Sequence, residues 1–269
     1  MDTVELRMAD LRGAIRSTML ETWYQPIIQI ASRRPVALEA LARLNHPIHG
    51  QILPDQFIPL VEDAGLAEEL TERMCATAFA DITVPTVARH GLIITLNFPL
   101  DVLLLPRALD RLDRQRVAAG YPADRVVIEL TESKPVDDLV TLRRSLEHFR
   151  SLGYGVAIDD AGPAVPSYSA LIELPFTSVK LDQILVRQVI SDSTMAARLQ
   201  GMIDQAHARG MAVVAEGVEN RAIWDRMEQL GADGAQGFLM SRAMMIADVP
   251  GWLGSWRLDS PPIEVLAPG

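Results

Sequence analysis

The sequence predicts an α/β protein, a TIM-like (β/α)8 barrel whose first strand runs antiparallel to the others. Three observations predict it. Short β-branched apolar runs recur along the chain, most of them followed by a longer stretch of helical periodicity, and a repeated strand–helix alternation builds a parallel sheet. These runs are apolar almost throughout, as strands covered on both faces are. The first two are separated only by Ala31-Ser32-Arg33-Arg34-Pro35, too short for a crossover helix, so that pair is expected to be antiparallel.

In chain order, residues 1–20 read as an amphipathic N-terminal helix or linker, with Val4, Leu6, Met8, Leu11 and Ile15 at its apolar positions. The barrel is assigned to 21–256. Its strands are expected at 27–30, 36–38, 92–96, 126–128, 156–158, 178–181, 211–215 and, more weakly, 234–238. Eight strands in a chain of this length suit a closed barrel. A helix opens at Pro54-Asp55-Gln56-Phe57, and a long one covers 66–89. Another runs over 137–152, with Leu139, Leu142, Leu146 and Phe149 on one face and a stop at Gly153. Two more cover 194–209, before Gly210, and 220–230, before Gly231. Residues 257–269, with three prolines, read as a C-terminal tail.

Composition narrows the function. With 269 residues, 49% hydrophobic and 22% charged, the chain is neither disordered nor low in complexity. No apolar stretch approaches the ~18–20 residues of a membrane span, and the acidic start Met1-Asp2-Thr3-Val4-Glu5-Leu6 is unlike a signal peptide, so a cytoplasmic location is expected. A net charge of −10 without any Lys/Arg block argues against long nucleic acid. A small anion remains acceptable where a metal ion supplies local positive charge. The single cysteine, Cys75, excludes an intramolecular disulfide and a cysteine-based zinc site, and is read as a buried core thiol.

The chemistry lies in what ends each apolar run. Glu39 follows 36–38, Asn97 follows 92–96, Glu129 follows 126–128 and the pair Asp159-Asp160 follows 156–158. Lys180 sits in 178–181, Glu216 follows 211–215 and Gln236 follows Ala235. The C-terminal strand ends of a β/α barrel converge on one rim, where active sites form. One carboxylate at such a place is ordinarily a helix cap. Five gathered together repel one another unless cations lie between them. Oxygen ligands without Cys or His select Mg2+, Mn2+ or Ca2+. The adjacent aspartates can serve two ions, an arrangement suited to phosphodiester hydrolysis. Lys180 could be a Schiff-base nucleophile, but a ring of carboxylates holds the ammonium form. The favoured role is a protonated lysine that orients water or stabilises a phosphate oxygen.

Longer motifs carry a family resemblance. Tyr24-Gln25-Pro26-Ile27, Glu39-Ala40-Leu41-Ala42-Arg43, Phe57-Ile58-Pro59-Leu60, Glu129-Leu130-Thr131-Glu132-Ser133, Ile158-Asp159-Asp160, Val179-Lys180-Leu181-Asp182, Ala215-Glu216-Gly217-Val218-Glu219 and Gln236-Gly237-Phe238 together resemble an EAL domain, from about Tyr24 to Ser241. The resemblance implies a bacterial signalling phosphodiesterase that hydrolyses cyclic di-GMP to pGpG with two Mg2+ or Mn2+ ions. By the same resemblance Glu39, Asn97, Glu129 and Asp159 hold one ion, and Asp159, Asp160 and Glu216 the second. Lys180 assists the attacking water beside Asp182, with Glu39 and Glu216 as catalytic ligands. Gln25, Arg43, Gln236 and Asp182 contact the dinucleotide, Glu132 braces a loop and Glu219 supports the same rim. The family also implies a homodimer, and leaves room for a fused or separate sensor or cyclase domain. One segment departs from the pattern: Asp159-Asp160-Ala161-Gly162-Pro163-Ala164-Val165-Pro166-Ser167 lacks the usual aromatic and second glycine and gains two prolines. The 161–166 loop is therefore expected to weaken or alter the dimer, and it keeps open a second reading, a cyclic di-GMP receptor that does not turn over.

Overall fold

Ten strands among the described residues form one sheet that closes on itself. The structure is a computed structural model that describes residues 8–131, 138–162 and 168–257, with side chains from 11 onward. The strands are β1 (Leu20–Gln29), β2 (Arg34–His46), β3 (Gly50–Ile52), β4 (Ile93–Pro99), β5 (Val126–Thr131), β6 (Gly155–Ala161), β7 (Ser178–Leu181), β8 (Ala212–Ala215), β9 (Gly234–Ala235) and β10 (Met244–Met245). The sheet order is β10-β1-β9-β8-β7-β6-β5-β4-β2-β3, and β1 also pairs with β2. That extra pairing closes an eight-stranded ring and leaves β3 and β10 outside it. From β2 through β4 to β9 the ring pairings are parallel, whereas β1 is antiparallel to both its ring neighbours, β2 and β9.

The helices are α1 (Met8–Arg16), α2 (Pro54–Asp63), α3 (Ala67–Ile82), α4 (Pro85–Ala88), α5 (Leu100–Leu103), α6 (Ala108–Ala119), α7 (Leu139–Ser151), α8 (Tyr168–Leu171), α9 (Gln183–Gln188), α10 (Ser193–His207), α11 (Arg221–Leu230) and α12 (Val249–Ser255). None of the described helices is long and apolar enough to cross a membrane. The starts of α7, α10 and α11 are capped by the side chains of Asp138, Asp192 and Asn220, which accept from backbone N–H groups of the first turn.

Several elements differ from the sequence expectation. The first strand begins at Leu20, well before residue 27, because it pairs with β2 from Leu20 to Gln29 and alternates its faces. The single helix expected over 66–89 is two, since Pro85 cannot continue α3 and instead starts α4. The last strand stops at Ala235, where the chain turns through Gly237.

Two apolar clusters hold these parts. The larger joins the strands to the helices around them, with Trp224, Tyr154, Phe79 and Phe149 fully buried. The smaller lies between α1, β3, α2 and the start of α3, and includes Leu11, Ile15, Ile52, Phe57, Val61 and Leu70. It anchors α2 beside the mouth of the barrel. Cys75 is buried, and burial pushes its thiol pKa far above the ordinary value.

Candidate active site

The inward alternation of parallel strands brings the strand-end residues together at one mouth. Register sets Gln25 opposite Glu39, and Asn97 opposite Glu129. Lys180, only 2% exposed, lies at the centre. Its Nζ is 2.7 Å from Glu216 Oε1, 2.9 Å from Asp159 Oδ1, 3.1 Å from Glu129 Oε2 and 3.4 Å from Glu39 Oε2. Four strands thus aim carboxylates at one ammonium.

Amides orient the ring. Gln236 Nε2 donates to Glu39 Oε2 at 2.6 Å and to Gln25 Oε1 at 3.3 Å, and Gln25 Nε2 donates to the Ser241 carbonyl at 3.1 Å. Asn97 Nδ2 donates to the other oxygen of Glu39 at 3.1 Å. Burial raises the Glu39 carboxyl pKa, but Lys180 and these two amides outweigh it and hold the group below the ordinary range. Glu129, Asp159 and Glu216 lack that help. Burial first, then neighbouring carboxylates, push all three up in spite of Lys180. Burial alone would lower the Lys180 pKa; the surrounding carboxylates reverse this and hold it well above normal. Four carboxylates around Nζ favour the ammonium form over a Schiff-base amine.

The donor set fits divalent cations. Oxygens of Asp159, Asp160 and Glu216 lie within 4.8 Å of one another. Asp159 Oδ1 is buried and, although close to Lys180, takes no well-directed hydrogen bond. Asp160 holds a left-handed backbone with φ +47°, unfavourable for a residue with a Cβ. Fully ionised, five carboxylates against one ammonium would carry four net negative charges, the number that two divalent ions neutralise.

Above the ring opens a cavity of about 520 Å³, within the range of small-molecule sites. Its floor is polar, with Glu39, Asn97, Asp159 and Lys180, and one wall is apolar, with Ile58, Val61, Leu70 and Met74 from α2 and α3. Two glycines shape the opposite rim. A Cβ on Gly237 (φ +154°) would lie 2.4 Å from the Val218 N and O atoms, and one on Gly217 (φ +63°) would lie 2.6 Å from Gln183 Cβ. Only glycine permits these approaches. They let the chain after Glu216 and the chain after Gln236 bond to each other, through Val218 N–H to the Gln236 carbonyl and Leu239 N–H to the Val218 carbonyl.

The structure thus gathers Gln25, Glu39, Asn97, Glu129, Asp159, Asp160, Lys180, Glu216 and Gln236 at or just beneath one cavity. Glu129 lies under the ring and does not wall the cavity. Arg43 does not wall it either. Its Nη1 donates to the Ala42 carbonyl at 2.8 Å, and burial lowers its pKa against the pull of Glu39 and Asp55. Asp182 caps α9, accepting from the N–H groups of Ile184 and Leu185 at 2.8 and 3.2 Å. Glu219 stands on the rim, paired with Arg187 at 2.6 Å. Glu132 lies outside the described residues, as do 163–167, most of the loop on which the dimer expectation rests. Sequence reasoning missed Gln183, Arg187 and Phe238 on the rim, and the two glycines; a glycine directly after a polar strand-end residue was the available signal.

Comparison with known proteins gives the site a context. The model of the EAL domain family matches residues 8–243. An uncharacterised protein of Azorhizobium caulinodans is 36% identical over 93% of this chain and 35% of its own length. The cyclic di-GMP phosphodiesterase NbdA of Pseudomonas aeruginosa is 31% identical over 98% of this chain and 34% of its own. The chain therefore spans about a third of these relatives. Among solved structures, the MucR phosphodiesterase of Pseudomonas aeruginosa in complex with c-di-GMP superposes with a TM-score of 0.84 at 28% identity, covering 91% of this chain and all of the other.

Proposed function

The chain belongs to the EAL domain family, and from that membership we propose that it is a metal-dependent phosphodiesterase that hydrolyses cyclic di-GMP to linear pGpG. The observation that carries the reading is the Lys180 ammonium set among four carboxylates from four strands, at the floor of a cavity of about 520 Å³. Glu39, Asn97, Glu129 and Asp159 would hold one divalent ion, Mg2+ or Mn2+, and Asp159, Asp160 and Glu216 a second; such ions supply an acidified water and stabilise charge on the leaving oxygen.

The chain's own residues do the rest. Gln236 and Asn97 fix both oxygens of Glu39, so that carboxylate is positioned before substrate arrives. Lys180, held charged by its neighbours, offers N–H donors to an attacking water or a phosphate oxygen. Asp160, on a left-handed backbone, has a carboxylate oxygen within 4.8 Å of one on Glu216. Gln25 and Gln236 meet the dinucleotide at the floor of the cavity. Arg43 reaches a phosphate by leaving the Ala42 carbonyl.

Purified protein incubated with cyclic di-GMP and Mn2+ should yield pGpG on ion-exchange chromatography. Binding of the dinucleotide without any pGpG would overturn the reading. The departure at 161–166 supports the alternative, a receptor that binds and does not hydrolyse. Glu39→Ala separates the two: an enzyme loses turnover, whereas metal-independent binding by a receptor changes little.

A further inference from the structure

The floor and the apolar wall of the cavity are held by different parts of the core. The strands that end in Asn97, Glu129, Asp159 and Glu216 pack in the larger cluster, through Leu96, Ile128, Ile158 and Ala215. The wall residues Ile58, Val61, Leu70 and Met74 all belong to the smaller cluster. Helix α1 completes that smaller cluster with Leu11, Ala14 and Ile15, all three buried. Outside the apolar contact, Arg12 Nε lies 3.6 Å from the Glu69 carboxylate in the first turn of α3, and Arg16 pairs with the same group. With nine residues, α1 is too short to be a stable helix alone. Docking on α2 and α3 keeps it helical.

We infer that α1 sets the substrate affinity of the cavity from outside it, with Leu11 and Ile15 as positioning residues for the apolar wall. The inference rests on the phosphodiesterase reading and adds to it an element that couples to substrate binding. The argument lies in the shared side chains. Val61 and Leu70 pack in the cluster that α1 completes and also wall the cavity. A packed interior leaves no slack, so a gap opened beneath α1 lets these side chains relax into it, and the wall moves with them. The ion-binding carboxylates stand on strands of the other cluster and stay in place. A dinucleotide that touches the ordered wall therefore binds more weakly when α1 is loosened. Coupling is reciprocal, so the bound dinucleotide also tightens the docking of α1.

The test compares wild type, Ile15→Ala and Ile15→Val with cyclic di-GMP and Mn2+. A coupling of ordinary size changes affinity at least about fivefold. Ile15→Ala should raise KM by at least that factor while kcat and the Mn2+ dissociation constant stay near wild type, and Ile15→Val should restore most of the KM. A second measurement needs no variant. In wild type, amide hydrogen exchange over residues 11–16 should slow when cyclic di-GMP is added with Ca2+, whose larger radius and looser geometry keep the dinucleotide uncleaved. An Ile15→Ala protein that melts at a lower temperature but keeps the wild-type KM would overturn the inference alone, since α1 would then serve stability only. Exchange over 11–16 that ignores bound dinucleotide would do the same, and decides the matter if Ile15→Ala does not fold. If wild type binds the dinucleotide without hydrolysing it, dissociation constants replace KM. If wild type does not bind it at all, the phosphodiesterase reading and the inference both fall.

Discussion

Gly237→Ala should damage the site more than any other single-methyl change. The added Cβ would sit 2.4 Å from both the N and O atoms of Val218, about 1 Å inside ordinary contact. Both are backbone atoms, so no side chain can rotate away. The loop after β9 must then move by roughly that distance. Two hydrogen bonds go with it, Val218 N–H to Gln236 and Leu239 N–H to Val218, both 3.0 Å. At ~1 kcal/mol each, with ~1–3 kcal/mol of backbone strain, the cost comes to about 3–5 kcal/mol. Gln236 moves too, and Glu39 loses its shortest donor. A misplacement of ~1 Å at a reacting site lowers turnover by about a hundredfold. Urea denaturation measures the first quantity and pGpG production the second. A variant with wild-type midpoint and wild-type turnover would refute the packing argument.

Lys180→Met removes the positive charge from four carboxylates. Without divalent ions at neutral pH it should cost about 3–5 kcal/mol, and Mn2+ should recover most of it; a melting temperature that is unchanged and insensitive to Mn2+ would contradict this. Asp160→Gly relieves the φ of +47° and should stabilise by up to about 1 kcal/mol, while activity at low Mn2+ falls at least about tenfold; a stable, fully active variant would show that the carboxylate is idle. Asp113 sits away from the site. Burial raises its pKa, but hydrogen bonds from Arg116 and Tyr154 outweigh this and hold it below the ordinary value. A depressed carboxyl pKa stabilises above its unfolded value and ceases to do so as pH falls through the folded one. Asp113→Asn should therefore cost ~1 kcal/mol at pH 7, with the difference from wild type closing below about pH 4, as read by urea titration at both pH values.

The ring of strands was legible because burial on both faces writes unbroken apolar runs such as Val126 to Ile128 and Val156 to Ile158. The site was legible for the complementary reason, since a polar residue closing each run has no place in a packed core. What escaped lacks either mark. Helix α6 carries five charged residues among twelve and buries only Ala108, Leu109 and Leu112. Strands β3 and β10 are three and two residues long, too short to show any periodicity. Asp182 reads the same in sequence whether it binds a ligand or caps a helix, and only the bonds to Ile184 and Leu185 separate the two. The Phe238–Arg242 stack is a contact across four residues of irregular chain, which no periodicity reveals.

The central claim is that carboxylates from separate strands meet to hold divalent ions at the floor of this cavity. Anomalous diffraction from a crystal grown with Mn2+ and cyclic di-GMP tests it directly. Two peaks should appear, one bounded by Glu39, Asn97, Glu129 and Asp159 and the other by Asp159, Asp160 and Glu216. A map without a peak there, with Lys180 still bonded to all four carboxylates beside bound dinucleotide, would contradict it.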